Sequence, residues 1–71
     1  PLYLIRLANF AFTDAGYTDV AKKNNLEILR LYNDSVFYYE GLAFIELSSG
    51  NYTTALNYFD KILMIQYLLR Y

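Results

Sequence analysis

Glu40 and Glu46 are two acidic side chains within one apolar stretch of this chain, and they are its first candidates for chemistry. Two carboxylates about 5–10 Å apart can serve as the two acidic groups of a hydrolytic reaction. Six residues of helix turn the second side chain far from the first, so these two do not share a face. We interpret both as solvated charges and expect no catalytic residue in the chain.

The residue types that most often build catalytic and metal sites are missing. The chain has no histidine, which is the commonest metal ligand and a frequent general base, and it has no cysteine. Disulfides and thiolate metal sites are thereby excluded. We expect neither a metal ion nor a cofactor.

The charges argue against nucleic acid and membranes as partners. The formal net charge is −1, and Lys22–Lys23 is the only adjacent basic pair, whereas phosphate binding needs several clustered cations. No apolar run approaches the roughly 20 residues of a membrane span. The apolar stretch 62–71 has only two basic residues available, Lys61 just before it and Arg70 within it. We therefore predict that it packs on a further repeat or a capping helix and does not lie on a membrane surface.

The content of apolar residues is high for so short a chain. Of the 71 residues, 56% are apolar and 20% are aromatic, which is more than a small core needs. Consecutive aromatics such as Phe37-Tyr38-Tyr39 point in different directions on a helix, so they cannot form one flat stacking platform. We expect most of them to pack in the core and the remainder to face a protein partner.

Turn residues divide the chain into four segments, and apolar spacing of three and four residues predicts a helix in each. The predicted helices are Leu2 to about Thr13, Tyr17 to about Tyr32, Val36 to about Ser48, and Tyr52 towards the C-terminus. Gly16 and Gly50 are expected to end the first and third helices at positive φ, and the cluster 33–35 to cap the third. Short turns make neighbouring helices antiparallel, so the predicted fold is all-α.

The chain repeats a pattern of residues at a spacing of 35. Leu7-Ala8 and Tyr17 recur as Leu42-Ala43 and Tyr52. The further matches are Leu4 with Tyr39, Val20 with Ala55, and Ile28 with Leu63. A period in this range is typical of helical repeat arrays, in which each helix pair buries its apolar face by stacking on its neighbours.

The second copy resembles a tetratricopeptide repeat. The residues that carry the resemblance are Tyr39, Leu42-Ala43, Gly50, Tyr52, Ala55 and Phe59. The first copy is weaker, Glu46 stands where the family prefers an aromatic residue, and the period of 35 differs from the family's usual 34. The resemblance predicts two units, 1–35 and 36–71, in an α-solenoid segment. It places Ala43 and Ala55 at close helix crossings and Tyr52 and Phe59 in the groove between helices.

In the family that the chain resembles, ligands lie in a groove lined by the first helix of each repeat. The positions carried over to this chain are Arg6, Asn9, Thr13, Glu40, Phe44 and Ser48. They lack the run of basic residues with which some members clamp a peptide carboxylate. The resemblance therefore implies a non-catalytic scaffold that binds a peptide or a partner subunit, by shape more than by charge.

Two alternatives remain open. The chain could be a helical part of a bacterial outer-membrane carbohydrate-uptake lipoprotein, which a signal peptide and a lipidated cysteine upstream would favour. It could also be a helical accessory domain of a larger enzyme. Because it begins with Pro1 and ends within an apolar stretch, we expect it to belong to a longer chain or to an assembly.

Asn24 interrupts the predicted apolar stripe of the second helix, at the position matched to Phe59. Burial of an amide without a hydrogen bond costs about 1–3 kcal/mol. We therefore expect Asn24 and Asn25 to lie on a partly solvated edge. The alternative for Asn24 is a polar contact to a ligand or to a neighbouring repeat.

Overall fold

The computed structural model describes the backbone of residues 1–70 and the side chains of residues 1–69, which form four α-helices and no strand. The helices are α1 (Leu2–Asp14), α2 (Thr18–Tyr32), α3 (Ser35–Ser48) and α4 (Tyr52–Arg70). Every predicted helix is present, so the predicted all-α fold is confirmed. Tyr71, the last residue of the second predicted unit, lies outside the described residues.

α1 and α3 end in the same type of turn. Gly16 has a φ of +84° and Gly50 a φ of +81°, a conformation that only glycine adopts freely. After α1, the N–H of Gly16 donates to the Thr13 carbonyl at 3.0 Å, and the N–H of Tyr17 to the Phe12 carbonyl at 2.9 Å. Residues 34 positions later make the same two bonds after α3, at 3.1 and 2.8 Å. Both turns are Schellman motifs, in which these bonds pair the free carbonyls at the helix end.

The structural period of the chain is therefore 34 residues, and the period of 35 is wrong by one. Ala21 and Ala55, 34 apart, are both completely buried. Thr18 and Tyr52, also 34 apart, are the first residues of α2 and α4. Tyr17, which the 35-residue period matches to Tyr52, precedes its helix at the N-cap position. The two tyrosines are thus not equivalent.

α3 is the central element of the structure. It packs against α1, α2 and α4, and α1 also packs against α2. Within the described residues the backbone of α4 comes close to that of α3 alone. The chain is thus two helical hairpins, of which the second rests on the first through α3. The buried apolar residues are Ala21, Ile28, Ala43, Ile45 and Ala55.

Several residues predicted to lie in the core are exposed. In the first hairpin they are Leu4, Leu7, Tyr17, Val20 and Leu31. In α4 they are Tyr52 and Phe59, so the expectation that these two fill a groove is wrong. On α2, Ala21 and Ile28 are buried while Val20 and Leu31 are exposed, so the buried side of this helix is narrower than the predicted stripe. On α1 and α4 the cause is that each helix has an outer side against which none of the described residues packs.

The turn between the hairpins caps α3 as predicted. Asn33 adopts the left-handed conformation with a φ of +50°, and Asp34 follows as the N-cap residue. The Asp34 Oδ1 atom accepts a hydrogen bond from the Phe37 backbone N–H at 2.9 Å. This bond satisfies one of the four N–H groups that a helix leaves unpaired at its start.

We expect Asp34→Ala to lower the free energy of unfolding by about 1 kcal/mol, because the N–H of Phe37 then loses its acceptor. For a domain of this size the thermal midpoint should fall by about 4–8 °C, measured by circular dichroism at 222 nm. Asp34→Asn is the matched control, since its side-chain oxygen can still accept the bond. Equal midpoints for Asp34→Ala and the parent would show that the cap contributes nothing.

Candidate functional site

The surface formed by α1 and α3, named here the α1–α3 face, centres on an ion pair between the two helices. Arg6 donates to the Glu40 Oε1 atom from Nε at 3.1 Å and from Nη2 at 2.8 Å. The two side chains are 25% and 32% exposed, so water screens the pair and its contribution to stability is below about 1 kcal/mol. Its main effect is to fix the position of both side chains on the surface.

Three phenylalanines lie on the same face as this ion pair. The guanidinium carbon of Arg6 lies 3.9 Å from the centroid of the Phe37 ring, which is the geometry of a cation–π contact. The Phe10 and Phe44 rings meet edge to face, with centroids 4.9 Å apart and an interplanar angle of 74°. All three rings are half-buried, so each has an accessible part.

Two of the contacts on this face join residues exactly one structural period apart. Arg6 pairs with Glu40, and Phe10 with Phe44, each across 34 positions. Equivalent positions of the two hairpins are therefore neighbours on the α1–α3 face. A surface of this kind is set by the stacking of the hairpins and not by a loop, which makes it rigid.

The predicted groove residues fall into two groups. Arg6, Glu40 and Phe44 are half-buried and lie together, and Ser48 is exposed at the end of α3. Asn9 and Thr13 are buried, with only 1% and 5% of their surface exposed. The expectation that these two side chains face an open groove is wrong, because Asn9 points towards α3 and Thr13 donates to the Asn9 carbonyl at 2.7 Å.

Phe10 and Phe37 are the residues of this face that the sequence interpretation missed. The 34-residue period would have identified Phe10 directly, since it matches Phe44. Phe37 lies one turn of α3 before Glu40, and its ring contacts the Arg6 guanidinium that pairs with Glu40. The period of 35 instead matched Phe44 with Asn9 and moved the prediction to a buried position.

Two buried asparagines, Asn9 and Asn25, lie between the first hairpin and α3, and one of them bonds to α3. Asn25 is completely buried and its Nδ2 atom donates to the Tyr38 carbonyl at 2.9 Å. A Cβ atom built on Gly41 would lie 2.0 Å from the Asn25 Oδ1 atom and 2.7 Å from the Asn9 Nδ2 atom. The absence of a side chain at Gly41 therefore makes room for the two amides. The expectation that Asn25 is solvated is wrong.

Asn24 makes a contact within the first hairpin. Its Nδ2 atom donates to the Ile5 carbonyl of α1 at 2.9 Å, and the side chain is half-buried. The equivalent positions in the second hairpin are Tyr58 and Tyr39, whose rings stack with centroids 6.0 Å apart. Asn24 thus has a structural partner, and it takes the place of a tyrosine.

Other ionisable groups lie away from this face. Glu27 and Arg30 form an exposed pair on α2, with the Arg30 Nη2 atom 2.5 Å from the Glu27 Oε2 atom. The hydrogen bond from Arg30 holds the pKa of the Glu27 carboxyl below its usual range. Among the described residues, no group of three or more acidic side chains is arranged to hold a metal ion. None of the four helices, as far as they are described, has the length and apolar character of a membrane span.

No protein-family model, no curated protein and no solved structure matches this chain. A function must therefore be inferred from the geometry of the α1–α3 face.

Proposed function

We propose that this chain is a section of a tetratricopeptide-like array that binds a peptide or a partner protein on its α1–α3 face, without catalysis. The observation that carries the proposal is the 34-residue structural period, because it equals the usual period of the family that the sequence resembles. Two features support it further. Both hairpins begin their second helix after a Schellman glycine, and both bury a small alanine, Ala21 or Ala55, in that helix.

The chemistry of the face indicates which segments it would bind. Phe10, Phe37 and Phe44 supply partly accessible aromatic rings, which favour an apolar side chain of the partner. Arg6 already directs two donors to Glu40, so it is a poor clamp for a terminal carboxylate. Glu40 uses one oxygen for both of these bonds, and its carboxylate retains acceptor capacity for a backbone N–H or a side-chain donor.

The experiment is to select peptides from a random displayed library on the immobilised chain and to measure their dissociation constants by fluorescence anisotropy. We expect Phe44→Ala to weaken binding at least about tenfold, which corresponds to 1.4 kcal/mol, because it removes an aromatic contact at the centre of the face. Ser48→Arg should also weaken binding by placing a bulky side chain at the exposed end of α3. Amidation of the peptide C-terminus should have no effect.

The matched control is Asn57→Ala on the exposed side of α4, which should leave the affinity unchanged. Circular dichroism of each variant separates lost binding from lost folding, and Ser48→Arg tests the face even if Phe44→Ala is destabilised. Peptides that bind Phe44→Ala and Ser48→Arg as tightly as they bind the parent would contradict the proposal.

A further inference from the structure

Each end of the two-hairpin stack exposes a set of apolar side chains. We name the outer side of α1, made of Tyr3, Leu4, Leu7 and Ala11, the leading face. The side of the second hairpin made of Glu40 and Phe44 on α3 with Phe59 and Leu63 on α4 is the trailing face. Leu7 is 46% and Leu63 62% exposed, so both faces present large apolar side chains to solvent. Exposed apolar sets of this kind mark interaction sites.

The leading face matches a surface that the chain already uses for internal packing. The residues 34 positions after its members are Phe37, Tyr38, Gly41 and Ile45. Through these residues α3 meets the first hairpin: Phe37 lies beneath Arg6, the Tyr38 carbonyl accepts from Asn25, and Gly41 adjoins both buried amides. Ile45 is buried as well. The leading face is therefore the uncovered equivalent of a stacking surface.

The trailing face matches the surface that receives α3 within the chain. Arg6, Phe10 and Asn25 contact α3, and the residues 34 positions later are Glu40, Phe44 and Phe59. Leu63 lies one helical turn after Phe59 and extends the same side of α4. The two faces are thus related to each other as the two sides of the interface between the hairpins.

We propose that a second copy of this chain stacks head to tail on the first, with its leading face on the first copy's trailing face. The operation is the one that already relates the two hairpins. Charge complementarity favours a second copy as the partner of this face, because the equivalent positions 6 and 40 carry opposite charges. In the stack the next copy's Arg6 comes to Glu40, so the junction repeats the ion pair found inside the chain.

The other contacts of the junction are also favourable. The next copy's Phe10 comes to Phe44, which continues the ladder of rings between equivalent positions. Phe59 and the next copy's Leu7 take the places of Asn25 and Gly41, so an apolar pair replaces the buried amide, and these larger side chains require a wider helix separation at the junction than at Gly41. A two-fold symmetric pairing of trailing faces would instead bring Glu40 near its own copy. The head-to-tail contact is heterologous and leaves one face free at each end.

The first test is the mass of the chain at increasing concentration, measured by sedimentation equilibrium. The parent should form dimers and larger species, since each added copy leaves a free face. Leu7→Lys, which blocks the leading face, and Leu63→Lys, which blocks the trailing face, should each be monomeric. Asn57→Lys places the same charge on the opposite side of α4 and should associate like the parent. A parent that stays monomeric at all concentrations would overturn the proposal.

Mixing the two blocked variants separates head-to-tail stacking from other association. Leu7→Lys keeps its trailing face and Leu63→Lys keeps its leading face, so an equimolar mixture should form a dimer that contains one copy of each. A symmetric dimer would not be restored in this way. A mixture that stays monomeric, although the parent associates, would show that the contact uses other surfaces.

A charge exchange tests the ion pair at the junction. The double variant Arg6→Glu/Glu40→Arg keeps the pair inside each chain and the pair between identical copies, so it should associate as the parent does. A mixed junction of parent and double variant brings like charges together. Energy transfer between labelled copies should therefore show that mixed contacts are several-fold weaker than contacts between like copies. If mixed contacts were as strong as contacts between like copies, the junction would not contain this ion pair, and the charge argument for a second copy would be wrong.

Discussion

Ala21→Asp and Ala55→Asp are each expected to unfold the hairpin in which they lie. Both alanines are completely buried, and among the side chains that the structure describes no basic one is buried. An unpaired carboxylate in such a position costs about 3–5 kcal/mol. A domain of this size has about 4–10 kcal/mol of stability in total, so either variant loses a large part of it. The thermal midpoint should fall by at least about 15 °C in circular dichroism.

Val20→Asp is the decisive control for this pair of variants. The period of 35 matches Val20 to Ala55, whereas the structural period of 34 matches Ala21 to Ala55. Val20 is half exposed, and an aspartate there can remain in water, so the cost should be below about 1 kcal/mol. A Val20→Asp variant that melts as low as Ala55→Asp, with Ala21→Asp near the parent, would restore the period of 35.

The helices and turns could be predicted from the sequence because they depend on local residues. Gly16 and Gly50 end their helices at positive φ, and the cluster 33–35 caps α3, as expected. Each of these features requires a particular residue type within a few positions. The bonds that form them also lie within five residues of one another, so no knowledge of the packing is needed.

The register of the repeat could not be predicted in the same way. The pairs Leu7-Ala8 and Leu42-Ala43 with Tyr17 and Tyr52 suggest 35 by residue type alone. The period of 34 also matches identical residues, among them Gly16 with Gly50 and Ala21 with Ala55, so residue type alone does not decide between the two periods. The contact that separates them, between Arg6 and Glu40, joins residues of unlike type. An alignment by similarity of residues gives no score to an ion pair between equivalent positions. The structure supplies this information because it shows which positions touch.

The error in the register explains the errors in the candidate site. Arg6, Glu40 and Phe44 are half-buried and retain an accessible part on the α1–α3 face, whereas Asn9 and Thr13 do not. Asn9 was matched to Phe44 only through the period of 35, and it is buried. The exposed leucines of α1 have a different cause, because no described residue packs on the outer side of that helix.

Gly41→Ala is expected to lower the free energy of unfolding by about 2–3 kcal/mol, although alanine is the better helix former. The gain in helix propensity is about 1 kcal/mol. Against it, the new methyl group would lie 2.0 Å from the Asn25 Oδ1 atom, so the amide must move and its bond to the Tyr38 carbonyl is strained or lost. Overpacking and the loss of a buried hydrogen bond outweigh the propensity. Chemical denaturation with urea measures the difference.

The double variant Asn25→Ala/Gly41→Ala tests whether the amide is the cause. Removal of the Asn25 side chain frees the two closest contacts of the methyl group, and the next nearest atom belongs to the Asn9 amide, which has no hydrogen bond to lose. Gly41→Ala should therefore be neutral or stabilising in the Asn25→Ala background while it is destabilising in the parent. This change of sign is a coupling between the two positions of more than about 1 kcal/mol. Equal effects of Gly41→Ala in both backgrounds would mean that α3 does not approach α2 at Gly41, and that the stacking of the hairpins on which both proposals rest is different.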